Sequence, residues 1–142
     1  MKKHILLFAT LLLTITFYSC KENPKSDTPT QMQEVMAVHD EVMPKMGTIG
    51  KLISQLDAKI KETDSTDVLV KARQDLRDGN KAMMDWMMNF GNRFDTDEIM
   101  KGKALTEEKQ KWLDEEEIKV KALRDQMNTS IKNAEALLKQ KK

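Results

Sequence analysis

Cysteine occurs once in these 142 residues, proline three times, glycine five times, and aromatic side chains make up 5%. A lone cysteine excludes an internal disulfide framework. So few glycines and prolines leave little material for the tight turns that a meander of short strands needs, and they favour long unbroken elements. An excess of charge of either sign is missing as well, since 24 basic residues stand against 23 acidic ones. That balance gives no electrostatic footprint for nucleic acid or for adhesion to anionic lipid. No glycine-rich phosphate loop occurs, and there is no serine nucleophile placed to serve His39, so familiar catalytic constellations are absent too.

Long hydrophobic runs are limited to one, and it comes first. Lys2 and Lys3 precede an apolar stretch from Ile5 to Phe17, and Phe17-Tyr18-Ser19-Cys20 closes it with a small residue directly before the sole cysteine. The stretch is too short for a membrane helix and has no charged stop on its far side. Plain secretion would leave one free thiol in an oxidising compartment, whereas lipidation converts it to a thioether. The order therefore predicts a bacterial lipoprotein signal over residues 1–19, cut before Cys20, which carries the lipid. One acyl chain holds weakly, at about 0.8 kcal/mol per buried CH₂, and two or three hold durably. Residues 20–30, with KENPKSDTPT after the cysteine, read as a short polar tether. Without the two signal lysines the chain carries about one net negative charge. The expected location is the bacterial envelope, with the outer membrane favoured, and a soluble domain held outside the cytoplasm.

Residues 31–142 are one domain's worth of chain and read as helices. The first helix is expected to start at Thr28-Pro29-Thr30-Gln31, with Thr28 as cap, proline at the first position and Gln31 three residues on. Met32, Val35, His39, Val42, Met46, Ile49, Ile53, Leu56 and Ile60 then step by threes and fours, a sustained heptad seam. Pro44 interrupts it chemically, removing the bond to the Asp40 carbonyl, and predicts a bend beside His39. Thr63 to Thr66 is a turn in which Asp64 or Ser65 caps the second helix. The second seam is Leu69, Ala72, Leu76, Gly79, Met83, Trp86 and Phe90. Gly91 to Gly102 reads as a connecting loop, and Thr106 with Glu107 and Glu108 starts a third helix. Its seam is Leu113, Glu116, Val120, Leu123, Met127, Ser130, Ala134 and Leu137. The fold class is thus all-α, an antiparallel three-helix bundle of long helices, with a helix–loop–helix dimer as the alternative.

Methionine is the residue in surplus: eleven in the chain, eight of them in two short stretches. These are Met32, Met36, Met43 and Met46, then Met83, Met84, Met87 and Met88. Folding the first two helices back on each other sets Met46 opposite Met83, Val42 opposite Trp86 and His39 opposite Phe90. The second and third helices, paired likewise, bring Trp112 and Glu116 to the same level. The candidate ligand or partner surface is therefore Met36, His39, Met43, Met46, Met83, Trp86, Met87 and Glu116. As core, methionine fills irregular space well and pairs with Trp86 and Phe90. As a metal site, Met36, His39, Met43 and Met87 would suit Cu(I) or Ag(I), with Asp40 or Glu116 fixing the ring and Trp86 covering the cation. As a surface, Met84 and Met88 lie on a flank that a simple core leaves wet. Non-covalent haem between His and a facing Met would be a further use, although no Cys-x-x-Cys-His motif is present.

His39-Asp40-Glu41-Val42-Met43-Pro44-Lys45-Met46-Gly47 and Ala82-Met83-Met84-Asp85-Trp86-Met87-Met88-Asn89-Phe90, behind such a signal, resemble small helical lipoproteins of Bacteroidota often labelled "viral A-type inclusion protein". The resemblance implies an envelope compartment and a helical bundle, and it carries no activity or ligand to any residue. The expectation is a lipid-anchored, non-enzymatic binding or interaction protein that uses no cofactor unless the methionine end takes Cu(I). Its partners would be the membrane through Cys20 and another protein or a second copy, not nucleic acid.

Overall fold

The apolar spacing produces helices throughout. The computed structural model describes residues 30–63 and 66–140, and every regular element among them is α-helical. They are α1 (Gln31–Val42), α2 (Lys45–Lys61), α3 (Asp67–Arg93), α4 (Thr96–Lys101) and α5 (Glu107–Lys139). Together they make an all-helical bundle. The signal, Cys20 and the tether up to Pro29 lie outside the described residues, as do Asp64 and Ser65. No helix among the described residues is long and apolar enough to cross a membrane.

The second and third seams match the buried residues position by position. On α3, Leu69, Ala72, Leu76, Gly79, Met83, Trp86 and Phe90 are all buried. On α5, Leu113, Glu116, Val120, Leu123, Met127, Ser130 and Ala134 are buried, and Leu137 is partly so. Ser130 is tolerated there because its hydroxyl donates to the Met127 carbonyl at 2.9 Å. Gly79 lets α5 come close, with Met127 Cγ 3.4 Å from where a Cβ would sit.

Three local expectations need correction. The expected first helix is two helices, α1 and α2, with Met43 and Pro44 between them. Proline has no N–H for the Asp40 carbonyl, so the regular bonding stops at Met43, and Met46 N–H turns back to the Met43 carbonyl at 3.2 Å. Both residues at the break keep helical dihedrals, so the seam stays in phase and Val42 and Ile49 are both fully buried. The N-cap of α1 is Thr30 rather than Thr28: its hydroxyl accepts from Gln33 N–H, and the Gln33 side chain accepts from Thr30 N–H. Finally, Gly91 to Gly102 is not simply a loop. α3 runs on to Arg93, and Asp95 starts the six-residue α4 with a capping box closed by Glu98. Gly102 ends α4 at φ 69°, the left-handed conformation that suits glycine.

Polar contacts record how the long elements lie. Arg73 on α3 donates to Asp57 on α2 at 2.6 Å, and Arg93 on α3 donates to Glu116 on α5 at 2.9 Å. Gln31 on α1 reaches Glu117 at 2.7 Å, Lys45 on α2 reaches Asn128 at 2.8 Å, and Lys59 reaches the Leu137 carbonyl at 2.7 Å. Along these last three contacts, the numbering of both partners rises together.

Candidate functional site

The seam of α1 meets the seam of α3 at His39 and Trp86, whose ring centroids lie 5.7 Å apart at 28°. His39 therefore stacks on Trp86, one turn from the Phe90 that the sequence sets opposite it. Trp86 continues into a ladder along α3: Phe90 at 4.8 Å, then Phe94 a further 4.8 Å on. Residues four apart on one helical face are neighbours, so the spacing 86, 90, 94 builds this ladder directly. The His39 ring is only 13% exposed, and its Nδ1 lies 2.9 Å from Asp40 Oδ1. An ionised carboxylate can only accept, so this contact assigns the ring proton to Nδ1.

The methionines divide into three environments. Met83 is fully buried, and Met32 nearly so. Met36, Met43, Met46 and Met87 are partly buried and pack against the core. Met84 and Met88 stand out at 51% and 62% exposed, on the flank where the sequence sets them.

Glu116 does not share a level with His39. It is 1% exposed, and its Oε1 accepts from Arg93 at 2.9 Å and from Lys119 at 2.8 Å. Lys109, one turn earlier on α5 than Leu113, pairs instead with Glu98 of α4 at 2.6 Å. Arg93 also lies 5.5 Å over the Trp112 ring and 2.7 Å from Glu115, whose carboxyl it holds below the usual range.

Glu98, 4% exposed, is a functional-looking group that sequence reasoning missed. The hydrogen bond from Lys109, helped by the Asp95 N–H, holds its carboxyl below the usual range against the opposing effect of burial. Asp95 followed three residues later by Glu98 is the signal that would have found both α4 and this residue.

A groove of about 460 Å³ opens between α3 and α5, with Ala82, Trp86, Ala122 and Leu123 among its apolar walls and Glu116 and Lys119 among its polar ones. Among the described residues, Trp86 Nε1 and Glu116 Oε2 are buried without a hydrogen-bond partner, as is Arg73 Nε toward the start of α3. Also among those residues, no group of three or more His, Cys, Asp or Glu side chains is placed to hold a metal ion.

No protein-family model, curated protein or solved structure matches this chain.

Proposed function

We propose that this chain is a lipid-anchored protein of the bacterial envelope whose domain is an antiparallel three-helix bundle acting as a non-enzymatic binding or interaction module. In that arrangement α1 and α2 together form the first rod, α3 returns, and α5 runs alongside the first. The opposed pairs Asp57–Arg73 and Arg93–Glu116 and the parallel-running Gln31–Glu117 and Lys59–Leu137 contacts support it.

The observation that carries the anchor is the order of the first twenty residues: two lysines, an apolar run, Ser19 and the sole cysteine. Cys20→Ala tests it by metabolic labelling with an alkyne-tagged palmitate in a bacterial host. The label is expected to disappear, and the protein to leave the membrane pellet. Labelling that survives the substitution would refute the anchor.

The binding role rests on the methionine end, where Met84 and Met88 add apolar surface that the core does not use. Methionine suits adaptable contact surfaces because its side chain is unbranched and polarizable. A photo-crosslinker at position 84 in intact cells should give one discrete adduct, retained with Met88→Leu and lost with Met88→Lys. Leu keeps volume and apolarity, whereas Lys places a charge in the interface.

A further inference from the structure

We infer that His39, with the thioethers of Met36, Met43 and Met87, forms a site for a soft monovalent cation, Cu(I) or Ag(I). This deepens the binding reading above by naming a ligand class. It rests on that reading for the envelope location, where copper is met outside the cytoplasm.

Imidazole nitrogen and thioether sulfur together are the donor set that such d¹⁰ cations prefer to Ca(II), Mg(II) or Zn(II). The His39–Asp40 contact, helix spacing and partial burial favour this set. The Asp40 carboxylate accepts the His39 Nδ1 proton at 2.9 Å. With the ring proton on Nδ1, Nε2 carries the lone pair that a metal ion would take. A carboxylate behind a metal-binding histidine also fixes the ring and raises its basicity. Met36 and Met43 stand three residues before and four after His39, and helical dihedrals continue through Met43. Cβ atoms at those spacings lie about 5–6 Å apart on one helical face. Met87 would be the donor supplied from α3, where it is partly buried one residue after the Trp86 that stacks on His39. All three methionines are partly buried against the core, so they are ordered yet not sealed in.

The competing explanation is that these methionines only pack, with His39 held by its stack on Trp86 and its contact with Asp40. A packing role predicts indifference to Met→Leu exchange, which a metal site does not.

The test is an anaerobic Cu(I) titration against a chromophoric chelator, on the full chain in detergent. All samples carry Cys20→Ala, so that no thiol competes. One Cu(I) per chain is expected, displaced by Ag(I) and not by Zn(II), with quenching of tryptophan fluorescence as the ion binds near Trp86. Changing Met36, Met43 and Met87 together to Leu should weaken binding at least about a hundredfold with helicity unchanged. Asp40→Asn should weaken it by about tenfold, the scale of a lost orienting partner. Absence of binding, or equal binding by the triple-Leu variant, overturns the site. Binding lost in His39→Ala but kept in the triple-Leu variant overturns it as well, since the cation would then be held without sulfur. The anchor is tested by labelling Cys20, so failure here leaves that reading standing.

Discussion

The two ends of this bundle are built from different materials. Around α2, the start of α3 and the end of α5, the core is Ile49, Leu52, Leu56, Leu69, Leu76 and Ala134. Its charges stay at the rim, as in the Arg73–Asp57 pair. Around α1, α4 and the end of α3, the core adds Met32, Met83, Trp86, Phe90 and Phe94 to the aliphatic Val35, Val42, Leu113 and Val120, with Glu98 and Glu116 buried beside it. Aliphatic packing alone suffices to hold three helices together. The second end accepts the buried carboxylates Glu98 and Glu116 and a half-buried histidine, each costly without compensation. Buried polar atoms without a partner occur at both ends among the described residues: Trp86 Nε1 and Glu116 Oε2 at this one, Arg73 Nε at the other.

The largest expected effect tests the aliphatic end. Leu56 is fully buried, and Leu56→Ala should cost about 2–5 kcal/mol through lost burial and a residual cavity. Met83 is equally buried, yet Met83→Leu should cost less than about 1.5 kcal/mol, because volume is kept. Chemical denaturation of both variants measures the contrast. Equal losses would mean that the methionine end is shaped as tightly as the aliphatic one, and the comparison would fail.

Acid should weaken the polar end through its paired carboxylates. Glu98 has its folded carboxyl held below 4.5, chiefly by the Lys109 hydrogen bond. A lowered folded value means stability that is full above the unfolded value and is lost as pH falls through the folded one. Asp95 behaves likewise, held down first by Lys103. Lowering the pH below about 4.5 should thus loosen α4 from α5, while Asp57, lowered chiefly by its Arg73 hydrogen bond, weakens the α2–α3 contact in the same direction. Lys109→Met removes the cause and should move that transition to higher pH. Amide hydrogen exchange resolved along the chain measures it, and an α4 that opens at unchanged pH in the variant would refute the assignment.

The same division governs what can be read from the sequence. The seams of α3 and α5 are legible to the residue, including Gly79, Glu116 and Ser130, because helix period and burial are coupled over many turns. The pairing of His39 with the end of α3 is legible to within a turn. What escapes is short or non-local. α4 has only six residues, too few for a period to declare itself, although its capping box stands in the sequence. Simple helix pairing sets Glu116 across from His39, whereas its carboxylate pairs with Arg93 and Lys119. Pro44 predicts a bend, but whether a helix bends or breaks depends on what packs around the freed carbonyl.

The smallest effect sharpens the comparison where the two ends meet. Glycine inside a helix costs roughly 0.5–1 kcal/mol relative to alanine, so its retention calls for a reason. At Gly79 the reason is visible: an added Cβ would meet Met127 Cγ at 3.4 Å and Ser130 Oγ at 3.8 Å, against α5. Gly79→Ala should therefore gain little, the backbone benefit being offset by pressure on Met127. At Gly50 nothing lies within 4 Å of the added carbon, so Gly50→Ala should raise stability by about 0.4–1 kcal/mol. Thermal unfolding of the purified chain separates the two. A stabilised Gly50→Ala protein that also loses the position-84 crosslink would show that this open stretch of α2 is kept clear for a partner, at the border of the methionine end. Stabilisation with the crosslink intact would confine the partner's contact to α3.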